Sequence, residues 1–260
     1  MTTPKTAPGP FHASQLRSGD PYELSDGHAI RLAPTGGDGS TPNWLGCSVL
    51  GSDPAVKEAG VDPGYTFGGG KYLRAPDVGV GNVPNKPGWI EGVPEIAVEY
   101  ASVGQDEDQL QLKISELLTF GTRYVWVVRL VGPRRVEVYT RGQPVFTATP
   151  GQSLTAPGIL QNPVRVEALY DPEAAHEATL RNLLQRRGVE SLEEALAASR
   201  KEGTDAGLLM ARRQVLAMLV KFPLDAGDRE RIASCTEGAT LDAWIVRATT
   251  ARSRDELFGR

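Results

Sequence analysis

The chain has 260 residues, of which 40% are hydrophobic and 23% charged, with 28 Lys and Arg against 32 Asp and Glu and a net charge of −4. That length fits one ordinary domain plus a smaller extension with a real core, and the charge balance argues against a protein that coats nucleic acid by charge alone. No apolar run is long enough to span a bilayer, and Met1–Pro10 lacks the apolar segment of a secretion signal, so a cytoplasmic location is expected.

In chain order, Met1 to about Asp20 carries Pro, Gly and Ser with little periodicity and reads as a flexible arm. Tyr22–Leu24 and His28–Leu32 read as short strands joined by a Ser25-Asp26-Gly27 turn, and Pro34-Thr35-Gly36-Gly37 breaks the second. Asn43–Leu50 and Pro54–Ala59 read as helical pieces, with Pro54 suited to a first turn. Tyr65–Phe67 is a weak strand, Val78–Val80 extends beyond Asp77, and Ile96–Ala101 is an apolar, central strand. After a loop to Asp108, Leu110–Phe120 has a broad apolar face and stops at Gly121, which predicts a helix packed on the sheet. Tyr124–Leu130 is a continuous apolar strand with Tyr124 and Trp126 as core residues. Val136–Thr140, a Gly142 turn and Val145–Thr147 follow as an antiparallel meander. Leu160–Leu169 should supply a final edge element.

From Asp171 the pattern is helical: Asp171 is an N-cap, Pro172 a first helical residue, and the helix should run to about Arg187 before Gly188. Ser191 with Glu194, and Ser253 with Glu256, have capping-box spacing. Leu208, Leu209, Val215, Leu216 and Leu219 share one face of a third helix, and Leu241, Trp244, Ile245 and Ala248 one face of a fourth. The expected organisation is an arm at 1–20, an α/β domain at 21–170 and an α-helical region at 171–260. The apolar third helix could cap its own domain or join a second copy in a homodimer. Cys47 and Cys235, far apart and without metal-ligand spacing, read as reduced thiols, and His12, His28 and His176 do not suggest a metal site.

The chemistry concentrates between Ala75 and Val128. Asp77 and Glu99 each sit in an apolar, strand-like run, and Lys113 follows in the predicted helix. An unpaired glutamate inside an apolar strand is costly, so Glu99 needs an ion or a partner such as Arg123. Two carboxylates on neighbouring strands, with one ammonium, can hold a hard divalent cation beside a phosphate. Exposed chain oxygen, with the Tyr100 carbonyl as candidate, and waters would complete the shell. Tyr100 itself should face the other side of the strand from Glu99. Lys71, Arg74, Lys86 and Arg123 could form a basic rim, and the Gly81–Gly92 loop, with Lys86 and Trp89, could touch substrate.

Five pieces in order resemble the Uma-two family of restriction-endonuclease-like proteins within the PD-(D/E)xK nuclease superfamily. They are Tyr22-Glu23-Leu24 with Asp26-Gly27, Pro34–Gly37, Pro76-Asp77-Val78, Val98-Glu99 with Ser102, and Lys113 through Gly121 to Tyr124 and Trp126. The resemblance implies a restriction-endonuclease-like mixed sheet flanked by helices and a Mg²⁺- or Mn²⁺-dependent endonuclease acting on DNA. Asp77, Glu99 and the Tyr100 carbonyl would bind metal, and Lys113 would serve the attacking water or the phosphate. The superfamily lysine stands two residues after the glutamate, where this chain has Ala101; the family instead places its lysine in the helix, as at Lys113. The family's early-helix histidine is replaced by Asp38-Gly39-Ser40, and Glu23 and Asp38 are candidates for an extra acidic ligand. The alternative is a degenerate nuclease fold acting as a binding or regulatory module through its helical tail; an oligomerisation factor with an α/β scaffold is a third reading.

Overall fold

The computed structural model describes residues 9–34, 36–189, 192, 193, 196 and 205–259. Two mixed sheets and a helical region make up the chain. The first sheet has the order β2-β1-β5-β4-β7, from β1 (Tyr22–Ser25), β2 (His28–Arg31), β4 (Tyr65–Phe67), β5 (Tyr72–Arg74) and β7 (Ile90–Glu91). The second has the order β11-β10-β9-β8-β6-β3, from β3 (Ala59–Val61), β6 (Val78–Val80), β8 (Ile96–Ala101), β9 (Tyr124–Arg129), β10 (Arg135–Tyr139) and β11 (Phe146–Ala148). Within it only β8 and β9 are parallel, and a parallel pair needs a crossover. That crossover is α2 (Glu107–Phe120). Asp106 caps α2 by accepting from the Gln109 amide at 3.1 Å, and Gly121 ends it at a φ of 119° that favours glycine.

Period-two alternation assigns each strand face. Ile96, Val98, Tyr100, Trp126 and Val128 join a core with Leu45, Val49 and Leu50 of α1 (Gly37–Ser52) and Ala175 of α3 (Pro172–Gln185). Ala97, Ala101, Val125 and Val127 face α2, meeting Leu110, Ile114 and Leu117, and Tyr65 and Phe67 of the first sheet join them. The helix α2 is thus held between the two sheets. Tyr100 points away from Glu99, as expected, and its hydroxyl donates to the Leu169 carbonyl at 2.9 Å.

Several boundaries differ from the sequence reading. The early helix is longer than Asn43–Leu50: α1 begins at Gly37 and tolerates Gly39, Pro42 and Gly46 because its buried face, not its propensity, holds it. Pro54 starts no helix; Pro54 and Ala55 form a turn that leads into β3. The Leu160–Leu169 element is a short strand β13 (Val164–Arg165), paired with β12 (Ser153–Leu154), then a 3-10 turn at Val166–Leu169. Within the segment read as an arm, Phe11, Ala13 and Leu16 pack with Leu24, Leu73 and Trp89, and the Trp89 indole donates to the Ala13 and Leu16 carbonyls. Trp89 is thus engaged by the chain's own start.

The helical region continues with α4 (Asp205–Leu219), α5 (Ala226–Ser234), α6 (Gly238–Ala248) and α7 (Arg254–Phe258). Val215, Leu216 and Leu219 bury against Leu241, Trp244, Ile245 and Phe258, and Leu180 and Leu184 of α3 join them. The apolar face of the third predicted helix is therefore covered within the chain, while Met210 and Met218 are exposed. Ser253 caps α7 through the Glu256 amide, but Glu256 returns its bond to the Arg252 amide, one residue earlier than a capping box requires. The Ser191–Glu194 pattern lies outside the described residues. Cys47 and Cys235 are free thiols. No helix among the described residues is long and apolar enough to cross a membrane.

Candidate active site

The short crossing from the first sheet to the second, Arg74-Ala75-Pro76-Asp77, builds the site. Val78 pairs with Val98 in the antiparallel β6–β8 ladder, so continuing the register by one residue sets Asp77 opposite Glu99. Asp77 accepts from the Tyr100 amide at 2.6 Å and from the Asn43 side-chain amide at 3.1 Å. Glu99, 7% exposed, shares the α2-facing side of β8 with Ala97 and Ala101.

Lys113 projects from α2 into this pocket. Its Nζ lies 2.8 Å from Glu99 Oε1, donates to Glu99 Oε2 at 3.0 Å and to the Ala75 carbonyl at 2.7 Å, and pairs with Glu23 at 3.1 Å. Glu23 also accepts from the Ala75 amide at 3.0 Å. Asp77, Glu99 and Lys113 therefore meet, and Glu23, one of the two candidates for an extra acid, joins them. Asp38, the other, is exposed in the first turn of α1.

A buried ion network supports the pocket. Arg74, 1% exposed, pairs with Glu23 at 2.9 Å and with Glu116 at 2.6 Å, and Ser25 donates to Glu116. The assignment of Arg74 to a basic rim is thus overturned: burial between two carboxylates makes it a structural counter-ion. Arg123 does not partner Glu99 either; it pairs with Glu95 at 3.8 Å and bonds the Pro157 carbonyl. Lys71 is exposed beside Asp26, and Lys86 is exposed on its loop.

The electrostatics follow from enclosure. Burial pushes the Glu99 carboxyl up to about 8, against the Lys113 ammonium and with help from Asp77. Burial also raises Asp77, while Lys113 and the Tyr100 amide pull it down. Burial alone would raise Glu23 too, but Lys113 and Arg74 outweigh it and hold Glu23 below its ordinary value. Burial alone would lower Lys113; the Glu23, Glu99 and Asp77 carboxylates outweigh it and hold the ammonium protonated. At the rim, Asp62 ends β3 with a left-handed φ of 50°, and its amide donates to the Asp77 carbonyl at 3.2 Å. Desolvation and then the Asp77 charge raise its carboxyl.

Sequence reasoning missed Asn43, Asp62, Arg74 as a buried ion, and Glu116. Glu116 had a usable signal: it stands three residues after Lys113, among Leu110, Ile114 and Leu117, so two charges share the buried side of one helix. Among the described residues, no group of three or more His, Cys, Asp and Glu side chains is arranged to hold a metal ion. The available oxygen donors are the Asp77 and Glu99 pair, with Lys113 lying between Glu99 and Glu23.

The Uma2 family model, described as "Putative restriction endonuclease", matches residues 10–166. A crystal structure from Anabaena variabilis, described as a putative nuclease belonging to DUF820, is similar to this chain with a TM-score of 0.54 and 20% identity. The match covers 64% of this chain and 99% of that one. At that identity the likeness establishes the fold. No curated protein matches the chain.

Proposed function

Since the chain belongs to the Uma2 family, described as "Putative restriction endonuclease", we propose that it is a Mg²⁺- or Mn²⁺-dependent endonuclease that hydrolyses phosphodiester bonds in DNA. The observation that carries this reading is the convergence of Asp77, Glu99 and Lys113 in one pocket.

The residues fit a hard divalent ion. All their anionic donors are carboxylate oxygens, and four buried or half-buried carboxylates (Glu23, Asp77, Glu99, Glu116) face two cations (Arg74, Lys113). With all groups ionised, the excess of negative charge matches one doubly charged cation. Asp77, Glu99 and the Tyr100 carbonyl would hold it. Bound there, the ion polarises a phosphoryl oxygen and makes a water more acidic.

The chain's own residues do the rest. The Tyr100 amide and Asn43 fix the Asp77 carboxylate in one orientation. Glu23 offers the Lys113 ammonium a second anchor, so Lys113 can leave Glu99 without becoming an unpaired buried charge. Because its carboxylate neighbours keep Lys113 protonated, it acts by charge on the phosphate or by orienting water, not as a base at neutral pH.

A second reading has one observation in its favour. Lys113 already neutralises Glu99, and no three-ligand cluster exists among the described residues. A folded nuclease domain that binds partners through its helices, without cleavage, would look the same. The deciding experiment compares plasmid nicking by wild type and Asp77→Ala, with and without Mn²⁺. Metal-dependent nicking lost in the variant supports the enzyme; equal nicking by both removes Asp77 from the mechanism.

A further inference from the structure

Asn43 is 4% exposed and projects from α1, which covers the face of the sheet opposite α2. Its Nδ2 donates to Asp77 Oδ1 at 3.1 Å. An ionised carboxylate only accepts hydrogen bonds, so this contact fixes the amide: nitrogen toward Asp77, oxygen away. The Asn43 Oδ1 so oriented is enclosed and has no hydrogen-bond donor in the protein. Glu99 Oε1, across from Asp77, is likewise enclosed without an aligned donor, although Lys113 lies beside it. Buried acceptors are normally satisfied, and polar, enclosed ones are satisfied by water when protein donors are missing. Oδ1 shares its carbon with the nitrogen bonded to Asp77, so a water held there sits beside that carboxylate.

We propose that Asn43 is a positioning residue whose Oδ1 holds a water molecule against Asp77. The inference rests on the nuclease reading for its use, since a water fixed beside the site acid is placed to be oriented toward a phosphate. It does not rest on that reading for its existence, because the orphan acceptor is a property of the metal-free fold. The outward oxygen also gives the buried amide a role that the bond to Asp77 alone leaves unexplained. A serine or threonine hydroxyl could donate to the carboxylate equally well.

The test uses the full chain. High-resolution crystal structures of metal-free wild type, Asn43→Leu and Asn43→Asp are compared, with thermal melts to show that each variant folds. Wild type should show an ordered water within hydrogen-bond distance of Oδ1. Asn43→Leu, similar in shape but without polar atoms, should lose it, and Asn43→Asp, which retains an acceptor, should keep it. In Mn²⁺-supported plasmid nicking, Asn43→Leu should lower kcat by about tenfold, roughly the effect of one lost hydrogen bond, with KM for plasmid and calorimetric Mn²⁺ affinity changed by less than about threefold. A dry Oδ1 in wild type, or a protein donor reaching it, overturns the proposal. So does an unchanged kcat in Asn43→Leu when wild type cleaves. If wild type does not nick at all, the nuclease reading falls, while the water at Oδ1 and its loss in Asn43→Leu still support the water-holding role.

Discussion

Replacing Lys113 with methionine keeps the length and apolar stem of the side chain and removes only the charge. In the native protein that charge touches both Glu99 oxygens at 2.8 and 3.0 Å, Glu23 at 3.1 Å and the Ala75 carbonyl at 2.7 Å. Removing one member of a buried ion pair costs about 3–5 kcal/mol, because the remaining charge is stranded. Glu99 has an escape, since it can bind a proton. Its carboxyl is pushed up to about 8 in the fold, against roughly 4.3 for an unfolded glutamate. Between those values the native state binds the proton and the unfolded state does not, so this group's contribution to stability falls as pH rises. Without Lys113 the upward push is larger, and the fall is steeper and extends to higher pH. Urea unfolding, followed by circular dichroism, should therefore show Lys113→Met destabilised by about 3–5 kcal/mol near pH 9 and by clearly less near pH 5.5. A loss that is the same at both pH values, or below about 1 kcal/mol near pH 9, would refute the claim that Lys113 neutralises the buried acids.

Arg74→Met strands both Glu23 and Glu116 and should cost about 3–5 kcal/mol in urea unfolding, far more than the near-neutral change of a solvent-exposed rim arginine. Gly46→Ala drives a methyl into the Tyr100 hydroxyl and should cost about 1–3 kcal/mol by overpacking; Gly46→Ala/Tyr100→Phe should recover part of this in a double-mutant cycle. The Cys47 thiol is pushed up to about 11 by burial, against the Arg252 charge, so alkylation of native protein near pH 8 should be slow and should accelerate on unfolding. Mn²⁺ affinity, read by calorimetry, should rise as pH increases toward about 8, because the ion must displace the Glu99 proton; affinity independent of pH in that range would remove Glu99 from the ligand set.

The parts of the fold that were legible were those in which local pattern and burial agree. Ile96–Ala101 and Tyr124–Arg129 have runs too apolar for anything but central strands, and α2 carries its own cap, its own stripe and its own glycine stop. The early helix was only half legible because Gly37, Gly39, Pro42 and Gly46 speak against helix, and only the sheet and α3 that cover it favour it. The two-residue β7 and three-residue β5 are too short to have a period. In the site, Asp77 and Glu99 were visible because charge in an apolar strand is costly. Arg74 was misjudged for the complementary reason: the acids that bury it lie far away in sequence, at Glu23 and Glu116. Asn43 gave no signal, since an amide on a weak helix gains meaning only from the carboxylate it meets.

Crystals equilibrated with Mn²⁺ near pH 8, mapped by anomalous scattering, address the central claim most directly. The account predicts one peak within coordination distance of both Asp77 and Glu99, with the Lys113 ammonium shifted from Glu99 toward Glu23. A map with the Lys113–Glu99 pair intact and manganese absent from the pocket, in protein shown to be folded, would contradict it.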